Sequence, residues 1–186
     1  MDKYVDNVMF SCCCARVDLS WIPICGCYLG SSASAGGRAG EDELELDSVR
    51  KSSGRCNQTC LLETVRDDND LYYHQAIRIV ERVRQNYPSA RLWFTGHSLG
   101  GAIASLMAVT FPDTAAVTFE SPGDKLYADR INLPRVDQKL NKPYPIYHFG
   151  ITTDPVFMGT CQGPSTSCYL SGHAMATRCR PGHACV

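Results

Sequence analysis

A chain of 186 residues is about the size of one domain. A formal net charge of −1 at pH 7 provides no basic field for a nucleic acid, so that class of partner is set aside. The composition, 44% apolar and 20% charged, is ordinary for a globular protein, and no apolar run reaches the roughly eighteen residues a membrane-spanning helix needs.

In chain order, residues 4–28 are apolar and rich in cysteine, with poor periodicity. The first twenty residues carry no apolar core of a secretion signal. Residues 29–55 change character. A Gly/Ser/Ala run is followed by the acidic Glu41–Asp47 stretch, and no large apolar residues recur at regular spacing. Such a segment buries too little to offset its ordering entropy and is expected to be a disordered insertion, with a short helix near residues 43–50 as the alternative. Three parts follow: a cysteine-rich 1–28, the insertion 29–55, and a core at 56–186. Within the core, regular structure is expected from about Leu71 onward. Tyr73, Ile77, Val80 and Val83 recur at helical spacing, opposite Arg78, Glu81 and Arg82, and Pro88 ends the helix. Residues 91–95 read as a short buried strand, residues 102–111 as a small-residue helix, and residues 115–119 as a second strand. A short helix is expected at 126–131 and a third strand at 145–149. Strands alternating with helices predict an α/β fold with a parallel sheet and flanking helices.

The eleven cysteines are the unusual feature. They fall as Cys12-Cys13-Cys14, Cys25/Cys27, Cys56/Cys60, Cys161/Cys168 and Cys179/Cys185. Their density favours disulfides and an oxidising compartment. A zinc site is the competing reading, but no C-x-x-C pair is present and no histidine stands at finger spacing. Asn57-Gln58-Thr59 is an N-glycosylation sequon, a triplet that also arises by chance and merely fits a lumenal protein.

Gly96-His97-Ser98-Leu99-Gly100 matches the nucleophile elbow, a strand–turn–helix junction that lifts a serine above a sheet edge. The bare pattern arises by chance in about one chain in twenty of this length, given glycine at roughly 7% of residues. The flanking strand and small-residue helix are what strengthen it. The tight turn is expected to demand glycine at both 96 and 100. Ser98 is then the candidate nucleophile, and the backbone N–H of Leu99, at a helix N-terminus, a candidate oxyanion donor. A serine hydroxyl needs a histidine base, and that histidine a carboxylate to orient it. In this fold the acid follows the serine in the chain. Asp154, in the loop after the 145–149 strand, is the best candidate. Asp124 and Asp129 are weaker rivals, and a plain turn role for Asp154 stays open. For the base, His173 and His183 follow Asp154 but sit in loop-like contexts and are weak candidates. His97 is expected to point away from the site, His148 lies in a strand before the acid, and His74 is expected to be exposed on the first helix.

Several segments together resemble a known family. They are Tyr87-Pro88, Leu92-Trp93-Phe94-Thr95-Gly96-His97-Ser98-Leu99-Gly100-Gly101, Val117-Thr118-Phe119-Glu120-Ser121-Pro122-Gly123, and His148-Phe149-Gly150 through Asp154-Pro155-Val156-Phe157-Met158-Gly159-Thr160-Cys161. Asn7 to Cys14 and the pairs Cys25/Cys27 and Cys56/Cys60 belong to the same likeness. The chain, apart from residues 29–55, is similar to the vacuolar or lysosomal autophagy lipases of the class 3, fungal lipase-like superfamily. The resemblance implies an α/β-hydrolase-type fold, Ser98 as nucleophile and Asp154 as triad acid. It implies a catalytic histidine beyond residue 186 and an N-terminal membrane anchor ahead of residue 1, so that the chain lacks segments at both ends. Lipid substrate and a membrane surface are the implied partners, phospholipid or triacylglycerol ester the implied substrate, and a vacuolar or endomembrane lumen the implied location. No metal or organic cofactor is required. Two alternatives remain: a pseudo-hydrolase or catalytically incomplete fragment without the triad histidine, and a disulfide-rich binding module with Ser98 incidental.

Overall fold

A computed structural model of the protein describes residues 8–10, 27–29, 55–67, 71–134, 142–160 and 178–185. Strands β1 (Tyr28–Leu29) and β2 (Arg55–Cys56) form a short antiparallel ribbon. Helix α1 (Gln58–Asp67) and helix α2 (Tyr72–Asn86) follow. Then come β3 (Trp93–His97), α3 (Leu99–Thr110), β4 (Ala115–Phe119), α4 (Lys125–Arg130), β5 (Ile146–Phe149), α5 (Pro155–Met158) and β6 (His183–Cys185). Strands β3 to β6 form one parallel sheet in the order β3-β4-β5-β6. This is the parallel sheet with flanking helices expected from the alternation of strands and helices, and it agrees with the α/β-hydrolase-type fold that the resemblance implies.

Helix α3 lies across β3 and β4, and α2 packs on α3. Gly101, Ala102, Ala104, Ser105 and Ala108 are buried along α3, and such small side chains let a helix approach a sheet closely. Leu106, Met107, Tyr73, Val80, Leu71 and Tyr127 join the main core. Val8, Met9 and Phe10 are buried in it as well, and Arg130 donates to the Val8 carbonyl at 2.9 Å. A second cluster of Ala108, Val109, Ala116, Tyr144 and Ile146 continues the core under β4 and β5. On the sheet face away from α3, Trp93, Phe119, Tyr147 and Phe149 are exposed among the described residues. Phe119 stacks on Phe149 there, and Tyr147 on His183.

Four sequence expectations change. Regular structure begins before Leu71, because Asn57 caps α1 by accepting from Cys60 N–H at 3.1 Å and a Cys27–Cys60 disulfide anchors that helix. The cysteine groups are thus joined across 33 residues of sequence. The first strand forms at Trp93–His97 and is half exposed rather than buried, because Trp93, Thr95 and His97 alternate onto the sheet face that α3 does not cover. Helix α3 starts at Leu99 instead of 102, since the Ser98 carbonyl accepts from Gly101 and Ala102 and carries the helix through the two glycines. His74 is half-buried rather than exposed, its Nε2 lying 3.4 Å from the Val65 carbonyl. The fourth strand, β6, was not anticipated. The expected insertion at 29–55 lies, apart from its two end residues, outside the described residues, as do His173 and Cys161/Cys168. Leu29 and Arg55 pair with one another across β1 and β2. Among the described residues no helix is long and apolar enough to cross a membrane.

Candidate active site

The loops that carry the candidate residues are held by a continuation of the sheet ladder beyond the strand ends. Ser98 N–H donates to the Phe119 carbonyl at 2.9 Å, Glu120 N–H to Phe149 at 2.8 Å, and Gly150 N–H to Cys185 at 3.2 Å. Ser98, at the end of β3, and Asp154, in the loop after β5, therefore share the C-terminal edge of one parallel sheet. That edge is where open α/β folds place their ligands.

Ser98 links β3 directly to α3 with φ 52° and ψ −126°, a strained setting for a non-glycine residue. The close approach it demands is made at Gly96. A Cβ there would stand 2.2 Å from the Gly100 carbonyl oxygen, which is backbone and cannot yield. The matching expectation for Gly100 fails: a Cβ at that position meets nothing within 4 Å, because it points outward from the first turn of α3. Gly101 is the second tight position, where a Cβ would stand 2.9 Å from Ser121 Cβ. Leu99 is the first residue of α3, so its N–H sits at the helix N-terminus beside Ser98.

Asp154 caps α5. Its Oδ1 accepts from Val156 N–H at 2.7 Å and Phe157 N–H at 3.4 Å, and Pro155 begins the helix. The side chain is half-buried. The two rivals are placed differently. Asp129 pairs with Lys125 at 2.8 Å on the same helix. Asp124 is completely buried at the start of α4.

The histidines divide clearly. His148 is buried on β5. Its Nε2 stands 2.8 Å from the Pro181 carbonyl, which can only accept, so Nε2 carries the proton. Its Nδ1 then accepts from the Thr118 hydroxyl at 2.7 Å, with Ser121 Oγ at 3.3 Å. Burial holds the imidazole down to about 4, and it is neutral and fully engaged in fixing the segment before β6. His97 is exposed at the end of β3, and His183 stacks on Tyr147 with ring centroids 5.5 Å apart. Among the described residues no histidine is hydrogen-bonded to Ser98 or Asp154.

Sequence reasoning passed over Arg180. Its Nε and Nη2 donate to the Ser121 carbonyl at 3.2 and 2.5 Å, and Nη2 also reaches the Phe157 carbonyl. The guanidinium lies 3.9 Å from the centre of the Phe157 ring. It ties the loop after β4 to the helix that Asp154 caps. An arginine between Cys179 and Pro181 gives no local signal of that role. Glu120 was missed too. It adopts φ 46° and its carboxylate accepts from Ile151 N–H at 3.1 Å, bracing the same acid loop.

Beneath this edge two buried groups respond to pH in opposite senses. Burial pushes the Asp124 carboxyl up to about 7 from an ordinary 3.8, while Ser105 and the Arg180 charge hold it back. Neither Ser105 Oγ nor the carboxylate oxygens close a hydrogen bond of ordinary geometry. For Asp124 the folded state binds the extra proton between pH 3.8 and about 7, so its contribution to stability falls as pH rises through that window. For His148 the unfolded state binds the extra proton between about 4 and 6.5, so its contribution falls as pH drops. The two slopes oppose one another over most of the same range. Asp124→Asn removes one of them and should leave a chain that loses stability steadily from pH 6.5 to 4, relative to the parent. Urea midpoints at three pH values measure this, and parallel parent and variant curves would rule out a protonated Asp124.

This edge and its strand–turn–helix serine define an α/β-hydrolase-type protein. The family model for lipase (class 3) matches residues 45–149. The chain belongs to the class 3 lipase family. It is 40% identical over its full length to the protein named "Putative lipase ATG15" of Eremothecium gossypii, covering 30% of that protein. It is 42% identical to the Saccharomyces cerevisiae protein of the same name, covering 31% of it, and 40% identical to that of Candida albicans, covering 27%. The chain thus spans about a third or less of the length of these relatives.

Proposed function

We propose that this chain carries the nucleophile and the acid of a Ser–His–Asp hydrolase that cleaves carboxylic esters of lipids. The observation that supports this most is Ser98 itself, a serine held at φ 52° on a strand–helix junction with Gly96 pressed against its helix. Backbone strain of that kind persists only where the surrounding structure enforces it, and it clusters at functional sites. Ser98 Oγ attacks the acyl carbonyl as a histidine takes its proton. Leu99 N–H donates to the oxyanion, and collapse of the tetrahedral adduct expels the alcohol and leaves an acyl-serine that water then hydrolyses. Asp154 orients the histidine and stabilises its charged form. The histidine is outside the described residues. Phospholipid or triacylglycerol is the substrate class, a membrane surface the partner, and a vacuolar or lysosomal lumen the setting. The name lipase, carried by the relatives, supports the lipid part of this reading.

A second reading keeps the elbow without its base: a pseudo-hydrolase or catalytically incomplete chain. A fluorophosphonate probe separates the two. Under the first reading the probe labels the chain, tandem mass spectrometry places the adduct on Ser98, and Ser98→Ala abolishes it. A folded chain that stays unlabelled supports the second. Labelling that survives in Ser98→Ala rules out Ser98 as the nucleophile.

A further inference from the structure

We propose that Asn57 is an N-glycosylation site, and that disulfide closure limits how fully it is occupied. Three observations meet at this position. Asn57-Gln58-Thr59 forms the acceptor triplet, and both Asn57 and Thr59 are exposed at the turn between β2 and α1. The following residue, Cys60, is bonded to Cys27, which marks a chain matured in an oxidising compartment, where such glycans are added. The Asn57 side chain also has its two ends free for separate tasks. Oδ1 accepts from Cys60 N–H at 3.1 Å and caps α1, whereas the glycan is attached at Nδ2.

In the transfer, Nδ2 attacks the anomeric carbon of an oligosaccharide carried on a lipid diphosphate. An N–C bond forms, the sugar–phosphate C–O bond breaks, the lipid diphosphate leaves, and one Nδ2 proton passes to a base of the transferase. Oδ1 remains a carbonyl acceptor, so the cap survives. The folded turn is not an open acceptor, however. Asn57 N–H donates to the Cys27 carbonyl at 2.8 Å, the triplet runs into α1, and the Cys27–Cys60 bond fixes its end. Transfer therefore precedes closure, and the two compete.

The test is expression in a eukaryotic secretory host, behind a cleaved signal, with an appended unstructured Asn-Gly-Thr sequence reporting arrival in the lumen. Parent protein should carry glycan at both sites, removable by peptide N-glycosidase, with Asn57 converted to Asp in the peptide map. Thr59→Ala should lose only the Asn57 glycan, and it leaves the Asn57 cap in place, so misfolding cannot imitate the result. Cys27→Ser should raise occupancy at Asn57. A parent chain glycosylated at the reporter but bare at Asn57 overturns the site. Occupancy unchanged in Cys27→Ser overturns the competition.

Discussion

Asp154→Asn should lower ester hydrolysis on the order of 10⁴-fold, the scale seen when a triad acid loses its charge but keeps its place. The substitution suits this position because Asp154 also has a structural duty. Its Oδ1 accepts from Val156 and Phe157 at the start of α5, and an asparagine Oδ1 can accept the same two bonds. Arg180 and Glu120 hold the loop from either side and are untouched by the change. The variant therefore keeps the cap and removes only the negative charge that would orient and stabilise a charged histidine. Hydrolysis of a chromogenic ester, measured beside thermal unfolding of parent and variant, reads both effects. Full activity with unchanged unfolding would show that Asp154 is a helix cap and nothing more. Lost activity with lost stability would send the question to Asp154→Ser, which caps equally well and is equally uncharged.

Gly96→Ala should destabilise the fold by about 3 kcal/mol or more, the range of overpacking where neighbours cannot move away. The new methyl would stand 2.2 Å from the Gly100 carbonyl oxygen and 2.6 Å from Gly101 N, both backbone atoms of the helix that Ser98 begins. Relief requires α3 to shift away from β3, and α3 carries Leu106 and Met107 into the main core. Gly100→Ala makes the contrast. It has open space and lies in the first turn of α3, so it should be neutral or stabilising by about 0.4–1 kcal/mol through reduced freedom of the unfolded chain. Denaturant titration of the two variants beside the parent decides this. Equal effects would mean that the close approach is not at Gly96.

How much of this was legible in the sequence depended on the range of the interactions involved. Helix α2 announced itself through the 3.6-residue spacing of Tyr73, Ile77 and Val80 and the stop at Pro88, all within one segment. The elbow was legible because a strand, a glycine-flanked serine and a run of small residues are contiguous. Asp154 is a candidate by its place after a strand and by the family resemblance, and Asp-Pro by itself fits a turn equally well. By contrast, α1 was missed because its start is fixed by the Asn57 cap and the Cys27–Cys60 bond, which joins it to a segment 33 residues earlier. Strand β6 was missed because three residues, His183–Cys185, carry no periodicity, and they extend only because β5 is there to pair with them.

The sequence by itself determined the alternation of strands and helices and the strand–turn–helix setting of Ser98, since each rests on residue types at short, fixed spacing, whereas Asp154 entered as a candidate from its place after a strand and from the family resemblance. Tertiary structure alone decided which glycine is indispensable, which histidine is engaged, and what holds the acid loop. Gly96 and Gly100 are symmetric about Ser98 in the sequence, but only the Cβ direction at Gly96 runs into the helix. His148 is an unremarkable strand residue until Pro181 and Thr118 arrive from 33 and 30 positions away and fix its tautomer. Arg180 gains its role only when the Ser121 and Phe157 carbonyls, 59 and 23 positions distant, converge on one guanidinium. Hydrogen bonds between remote segments have directions that spacing along the chain does not encode, and those directions are set when the sheet assembles.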